Sequence, residues 1–563
     1  MAATSARELT GIGVSPGAAV GPVARFVPAL PQAPPTGPPP QDLDAETARL
    51  ADALAETAAD YDRRAEAAAG EAAEVLGATA LIAADPGLAD EAAKRVAAGT
   101  PAPRAVWDAI GVYRGVLEAA GGYLGARVAD LDDVRDRVVA RLLGRPVPGL
   151  PDPGHPYVLV ARDLAPADTA TLRPERVLAI VTAEGGPTSH TAILAGALGI
   201  PAVVACPGAL EVADGATVAV DGGTGVVTVE PDRSTVEAVR SVAAARAARG
   251  GVPEGGGRTA DGHPVQLLGN VGDAAGMAAA VAAGAEGVGL FRTEFLYLDR
   301  GSAPDPVEQE RAYREVFTAA AGRKVVLRTL DAGADKPLPF MGFEDEPNPA
   351  LGVRGLRTRV RRPGVLATQL DAVAAAAAAT GADVWVMAPM VSVPEEAAEF
   401  AAEVHGRDLP TAGIMVEVPA VALRANACLS EVDFASIGTN DLTQYAMAAD
   451  RQSAALAGLT SPWQPALLEL VRLTAEAGTA LGKPVGVCGE AAGDPALAVV
   501  LIGLGVTSLS MTPRALSDVA ATVASVDLDA ARRIAAIALE ARSADAARAA
   551  VRAELPVLAD LGR

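Results

Sequence analysis

Only four histidines occur in the 563 residues, and one of them, His190, stands in GGPTSHTAILA between a glycine–proline turn and an apolar run of helical character. A neutral imidazole is a good phosphoryl acceptor, and the N-terminus of the helix that follows can stabilise nearby phosphate charge. Gly185 and Gly186 let a ligand come close to the backbone. A histidine at a helix start can equally be there for a hydrogen bond, so the rest of the chain must show whether a phosphoryl donor has a place.

The second half carries polar residues at the ends of strand-like runs. Arg292 and Glu294 follow one run in LFRTEFLYLDR, and Arg328 and Asp331 end another in VVLRTLDAGADKP, with Lys336 beyond. Glu417 ends GIMVEV, Asn440 and Asp441 follow IGT, and Cys488 and Glu490 end VGVCGE. Arginines suit planar, bidentate contacts to phosphate and carboxylate. Glu417 and Asp441 offer hard oxygen ligands for Mg²⁺, with water and a substrate phosphate filling its other positions. Buried cysteine is commonly inert, but a thiol at a strand end among cations can act as an acid or base.

These residues need a scaffold that gathers strand ends. Apolar, β-rich runs recur at 265–271, 286–291, 325–330, 384–389, 413–418, 432–438, 484–488 and 506–511, with helix-like stretches between most of them. Eight strands alternating with helices over about 300 residues predict a (β/α)₈ barrel, whose chemistry sits at the C-terminal strand ends; a doubly wound sheet would alternate similarly, and the count of eight favours the barrel. The first half differs. Short strands over 10–27 lead to a proline-rich connector, then to alanine-rich amphipathic segments from Leu43 to about Leu143, broken at 85–87 and 100–103. Strand-like runs return at 157–161, 177–182, 202–205, 217–220 and 226–229. The fold expected is therefore α/β and multidomain. An α/β domain spans 1–28 and 144–231, interrupted by an all-α block at 42–143. A helical linker at 232–260 leads to a TIM barrel at 261–563.

Composition narrows the partners. The formal net charge is −22, which argues against nucleic acid or an anionic membrane. Such a protein must build a local positive cluster to hold an anionic substrate. The three cysteines, Cys206, Cys428 and Cys488, form no CxxC pair, so neither a disulfide framework nor a zinc site is suggested. With no signal-peptide core at the N-terminus and no apolar run of spanning length, a soluble cytoplasmic protein is expected.

Together GGPTSHTAILA, FRTEFLYLDR, LRTLDAGADKP, NPALGVRGLR, GIMVEVPA, IGTNDLTQY and VCGEAAGD resemble enzyme I of the bacterial sugar phosphotransferase system, a phosphoenolpyruvate–protein phosphotransferase. The resemblance runs nearly end to end, from TGIGVSPGAAVG to SLSMTP. It implies a swivelling phosphohistidine domain, an inserted helical subdomain that docks the phosphocarrier HPr, and a barrel that binds phosphoenolpyruvate and forms a homodimer. By this resemblance His190 accepts the phosphoryl group through Nε2, and Thr169 hydrogen-bonds its imidazole. Arg292, Arg328 and Arg451 hold the substrate's phosphate and carboxylate, assisted by Arg354 and Lys336, with Asn440 beside them. Glu417 and Asp441 hold Mg²⁺, and Cys488 protonates enolpyruvate at carbon three to give pyruvate.

Two segments depart from the family pattern. GLTSPWQP at 458–465 lacks the tyrosine and histidine of a stretch like LYxPxHP, and Thr79 stands where a histidine is common. The first bears on substrate affinity or dimer packing, the second on carrier docking. A pyruvate, phosphate dikinase or phosphoenolpyruvate synthase would need a nucleotide-binding domain ahead of the histidine domain, and the residues there show no glycine-rich phosphate loop. A degenerate, non-enzymatic paralogue would be expected to lack some of the residues assigned to chemistry, and all are present. The nitrogen-regulatory branch usually carries an extra N-terminal sensory domain, so the sugar branch is preferred.

Overall fold

The computed structural model describes the chain except residues 1–6, 16, 27–32, 68–70, 121–127, 146, 148–149, 152, 165–171, 187–189, 249–251, 253–254, 298–299, 301, 334–337, 343–345, 451–455, 457 and 562–563. It forms two compact units that divide between Ala244 and Ala245.

In the first unit eight strands make one mixed sheet: β1 (Arg7–Thr10), β2 (Ile12–Ser15), β3 (Ala18–Arg25), β4 (Tyr157–Ala161), β5 (Val177–Thr182), β6 (Ala202–Val204), β7 (Thr217–Asp221) and β8 (Val226–Val229), in the order β1-β8-β7-β3-β4-β5-β6-β2. The three central pairs β3–β4, β4–β5 and β5–β6 are parallel. β4 shows why its YVLVA run is apolar throughout: Tyr157, Leu159 and Ala161 pack on one face and Val158 and Val160 on the other, so both faces are buried. The chain between β3 and β4 carries five helices among the described residues: α1 (Leu43–Ala67), α2 (Glu71–Ala83), α3 (Pro86–Ala97), α4 (Ala102–Ala120) and α5 (Val128–Leu142). They share a core of their own around Leu50, Leu76, Val106, Ile110 and Val138. The break expected at 85–87 is a helix start: Asp85 accepts the N–H of Leu88 at 2.9 Å, and Pro86 occupies the first helical position, where its missing N–H is no loss.

In the second unit β9 (Gln266–Val271), β10 (Gly287–Arg292), β11 (Lys324–Arg328), β12 (Val384–Ala388), β13 (Thr411–Val416), β14 (Phe434–Gly438), β15 (Val485–Cys488) and β16 (Ser508–Met511) are all parallel, and β16 pairs with β9 to close a barrel. The doubly wound alternative is thereby excluded. Every second residue separates two cores. Val325, Leu327, Val386, Ile414, Val416, Ile437, Val487 and Leu509 face the surrounding helices. Leu290, Val326, Met387, Met415, Phe434 and Cys488 fill the interior. Each fully buried aliphatic side chain of the outer layer contributes about 1.5–3 kcal/mol. The same alternation carries Arg328, two residues after Val326, and Glu417, two after Met415, onto the inner face at the C-terminal mouth.

Candidate active site

The barrel mouth is built around two buried guanidinium groups. Arg328, the last residue of β11, donates from Nη2 to Glu294 Oε1 at 2.9 Å, and its Nη1 lies 3.3 Å from Asp331 Oδ2. Burial alone would lower its pKa, but Glu294, Asp331 and Glu417 raise it above the ordinary arginine value, so the charge is fixed. Arg354 has no exposed side-chain surface. Its Nε and Nη2 donate to the two oxygens of Asp331, each at 3.0 Å, and Nη1 reaches Asp441 Oδ1 at 3.1 Å. This fork holds the arginine in one plane. Glu294 Oε1 also accepts the N–H of Asp331 at 3.0 Å, so one carboxylate braces both the arginine and the turn after β11.

Glu417, one residue past β13, is 1 % exposed. Its Oε1 accepts the N–H of Met390 at 2.6 Å, while Oε2 is buried without a hydrogen-bond partner. Burial, then Asp331 and Asp441, push its pKa up to about 8, against the pull of Arg328 and Arg354. Gly438, at the end of β14, keeps space beside that oxygen, since a Cβ there would stand 3.1 Å from Oε2 and 3.1 Å from Met415 Sδ.

The charge count bears on the metal. Among the described residues of the cluster, Arg292, Arg328 and Arg354 face Glu294, Asp331, Glu417 and Asp441; with Glu417 holding its proton the charges of these residues balance, and with Glu417 ionised the carboxylates outnumber the cations. Lys336 and Arg451, the other cations expected in this cluster, lie outside the described residues. A divalent cation on Glu417 and Asp441 would offset their ionised charge, satisfy the orphan oxygen and suit the hard oxygen donors. Among the described residues no three or more His, Cys, Asp or Glu side chains form a cage. A hexacoordinate cation that keeps water and substrate phosphate needs only one or two carboxylates, so the residues fit the group.

Cys488 ends β15 and is 3 % exposed, with Sγ 3.6 Å from Ile437 O. Burial raises its pKa, while a hydrogen bond with Ser436 and the charges of Arg328 and Arg292 pull the other way. The net rise keeps the thiol protonated at neutral pH, the form an acid needs. Asn440 is half-buried on the first turn of the helix Thr439–Met447, and the position of a Cβ on Gly489 lies 3.8 Å from its Oδ1.

The structure therefore brings together Arg292, Arg328, Arg354, Glu417, Asp441 and Cys488, with Asn440 beside Gly489. His190 belongs to the other unit, where it begins the helix His190–Leu198. Thr169, Lys336 and Arg451 lie outside the described residues. Asp331 and Glu294 were visible in the sequence as strand-end charges, but their bracing role was not. Thr79 is fully buried in α2, so it presents nothing to a docking partner directly. In the departing segment, Trp463 is buried and donates from Nε1 to Asp494 Oδ2 at 3.0 Å; Asp494 in turn caps the helix Pro495–Gly503.

A barrel whose C-terminal mouth presents arginines, two candidate metal carboxylates and a buried thiol is equipped to hold an anionic substrate, and family models name the class as phosphoenolpyruvate-utilising enzymes. Three family models agree: PEP-utilising enzyme, N-terminal, over residues 10–127; the mobile domain over 153–225; and the PEP-binding domain over 247–528. A phosphoenolpyruvate-protein phosphotransferase of Streptomyces coelicolor is 54% identical over 97% of this chain and 99% of its own length. One of Haloferax volcanii is 42% identical over 95% and 97%. A multiphosphoryl transfer protein of Xanthomonas campestris is 42% identical over 78% of this chain and 54% of its own length. The chain belongs to the phosphoenolpyruvate–protein phosphotransferase family.

Proposed function

We propose that the enzyme transfers the phosphoryl group of phosphoenolpyruvate to His190, releases pyruvate, and passes the group to a histidine of the carrier protein HPr, the first step of sugar uptake by the phosphotransferase system. The observation that carries this reading is the barrel mouth, where Arg328 and Arg354 stand rigidly held beside Glu417, Asp441 and a protonated, buried Cys488. Phosphoryl transfer asks a protein mainly for positioning and charge stabilisation.

Arg292 and Arg328 orient the substrate's phosphate and carboxylate, with Arg354 fixing the frame through Asp331; Arg451, Lys336 and Asn440 complete the binding set. Glu417 and Asp441 hold Mg²⁺, which when bound offsets the negative charge spread over the transferring phosphoryl oxygens. Cys488 protonates carbon three of the enolpyruvate, and collapse to the ketone drives the transfer. His190 receives the phosphoryl group at the start of its helix, whose dipole favours anionic charge there, and Thr169 orients its ring.

HPr docks on the five-helix block, a reading supported by Leu81 and Val112, which stand 74% and 52% exposed there. The barrel forms a homodimer, and exposed Leu351, Val360 and Leu423 supply apolar surface for it. Among the described residues no helix is long and apolar enough to cross a membrane, and a carrier-coupled role places the enzyme in the cytoplasm. The test is mutational: His190→Ala should take up no acid-labile phosphate from phosphoenolpyruvate, and label retained by that variant refutes the acceptor assignment.

A further inference from the structure

Barrel interiors of this class are ordinarily filled with branched apolar side chains. The layer below Cys488 is different. Inward positions on β14 and β16 hold Ser436, Ser508 and Ser510, and the inward position below Cys488 on β15 is Gly486. They surround a cavity of about 20 Å³ at the N-terminal mouth of the barrel, which Lys324 and Trp385 also line. That is room for about one water, and the serine hydroxyls supply the polar partners a buried water requires. A Cβ on Gly486 would stand 2.4 Å from Ser508 Oγ, so β15 can place no side chain between Cys488 and the cavity.

The polar atoms line up from the thiol downward. Ser436 stands opposite Gly486 on the neighbouring strand, one inward step below Cys488, where its hydroxyl acts on the thiol from below. Ser510, paired with Cys488 across the strands, is engaged by Gly269 O at 3.1 Å and Asn270 Oδ1 at 2.5 Å, while Ser436 and Ser508 line the cavity. At the lower mouth Lys324 Nζ donates to Gln266 Oε1 at 2.6 Å and sits 4.4 Å over the Trp385 ring. Burial lowers its pKa, which makes it a readier proton donor than a free lysine. Hydroxyls placed in a barrel core carry a desolvation penalty unless they are hydrogen-bonded, and a water in the cavity would supply that bond.

We propose that Ser436, a water in this cavity and Ser508 form a proton path that recharges Cys488 from solvent at the N-terminal mouth of the barrel, opposite the face that binds substrate. The inference rests on the reading of Cys488 as the acid. When Cys488 protonates carbon three, a C–H bond forms, the S–H bond breaks and its electron pair stays on sulfur. Ser436 then passes its hydroxyl proton to Sγ and takes one from the water, which is replenished from solvent past Ser508. One proton enters from solvent for each delivered to carbon, and nothing is oxidised or reduced. The thiol can therefore be reset while pyruvate still covers its upper side.

Carbon label and solvent hydrogen separate this path from every other role. With phosphoenolpyruvate, carbon-labelled pyruvate and Mg²⁺ in D₂O, carbon label can pass between the two substrates without any proton from water, because the thiolate can recover one from the incoming pyruvate. Deuterium enters the pyruvate methyl group only if Cys488 exchanges with solvent. For the wild type, deuterium uptake should keep pace with carbon exchange. Ser436→Ala and Ser508→Val should each lower the ratio of deuterium uptake to carbon exchange by at least about tenfold. An unchanged ratio in both variants, whether both rates fall together or neither falls, overturns the path, since a merely structural serine would slow both rates alike. Cys488→Ala serves as the control for the underlying reading: wild-type carbon exchange in that variant removes the acid assignment and the path with it.

Discussion

Replacing Glu417 by glutamine removes a charge while keeping the side chain's shape and its contact with the Met390 N–H. In the metal-free enzyme the Glu417 pKa is pushed from 4.5 to about 8 by burial and by Asp331 and Asp441. Between those two values the folded state holds a proton that the unfolded chain has lost, so stability falls as pH rises from about 5 to about 8. At 1.36 kcal/mol per pKa unit the full shift corresponds to ~5 kcal/mol, an upper bound because the strain is shared with Asp331 and Asp441, and ~2–5 kcal/mol is the working range. Urea unfolding of metal-free enzyme at pH 5 to 8 should show that loss in the wild type and a much flatter profile in Glu417→Gln. Metal binding must then expel the proton. At pH 7 calorimetry in buffers of different ionisation enthalpy should count close to one proton released per Mg²⁺ bound, and affinity should rise about tenfold per pH unit from 6 to 8. PH-independent Mg²⁺ binding with no proton release would refute both the charge reasoning and the assignment of Glu417 as a ligand.

Asp331→Asn breaks the fork that holds Arg354 and should destabilise the barrel by about 3–5 kcal/mol, because a buried guanidinium loses its main counter-charge; a midpoint shift in urea unfolding close to zero would contradict this. Cys488→Ala should slow pyruvate formation by about 10²-fold or more while leaving phosphoryl exchange between phosphorylated His190 and HPr nearly untouched, and equal losses in the two partial reactions would remove the acid assignment. Arg137, fully buried and donating to Asp133 at 3.0 Å, anchors the helical block. Arg137→Ala should weaken HPr binding and block stability together, about 3–5 kcal/mol for the latter, with carbon exchange between phosphoenolpyruvate and pyruvate, which needs His190 and the barrel but not HPr, as the readout that must persist.

Much of the fold could be read because strand periodicity and chemistry coincide. In VVLR the outward Val325 and Leu327 and the inward Val326 and Arg328 already separate core from site, and GIMVEV does the same for Met415 and Glu417. DPG was legible as a break, and the structure makes it a helix start, because aspartate and proline act there through local geometry alone. What escaped the sequence depends on distance in the chain. Asp331 and Arg354 lie 23 residues apart, and nothing local to either announces that one carboxylate will occupy both donors of the other. The pairing of the site's charges escaped for the same reason, since arginines stand out in strand-end motifs whereas the carboxylates that hold them become visible only when packed. Thr79 and the segment GLTSPWQP, which contains Trp463, stood out in the sequence only as departures from a family pattern. The burial of Thr79 and Trp463 follows from how helices assemble, which residue-by-residue comparison does not reveal.

The most direct measurement is incubation of the purified enzyme with ³²P-labelled phosphoenolpyruvate and Mg²⁺, with and without HPr, following protein-bound label and pyruvate together. The account predicts acid-labile, alkali-stable label on the wild type, none on His190→Ala, pyruvate formed in equal amount, and transfer of the label to HPr when it is added. Label that persists on His190→Ala, or pyruvate formed without any phosphorylated protein, would contradict it.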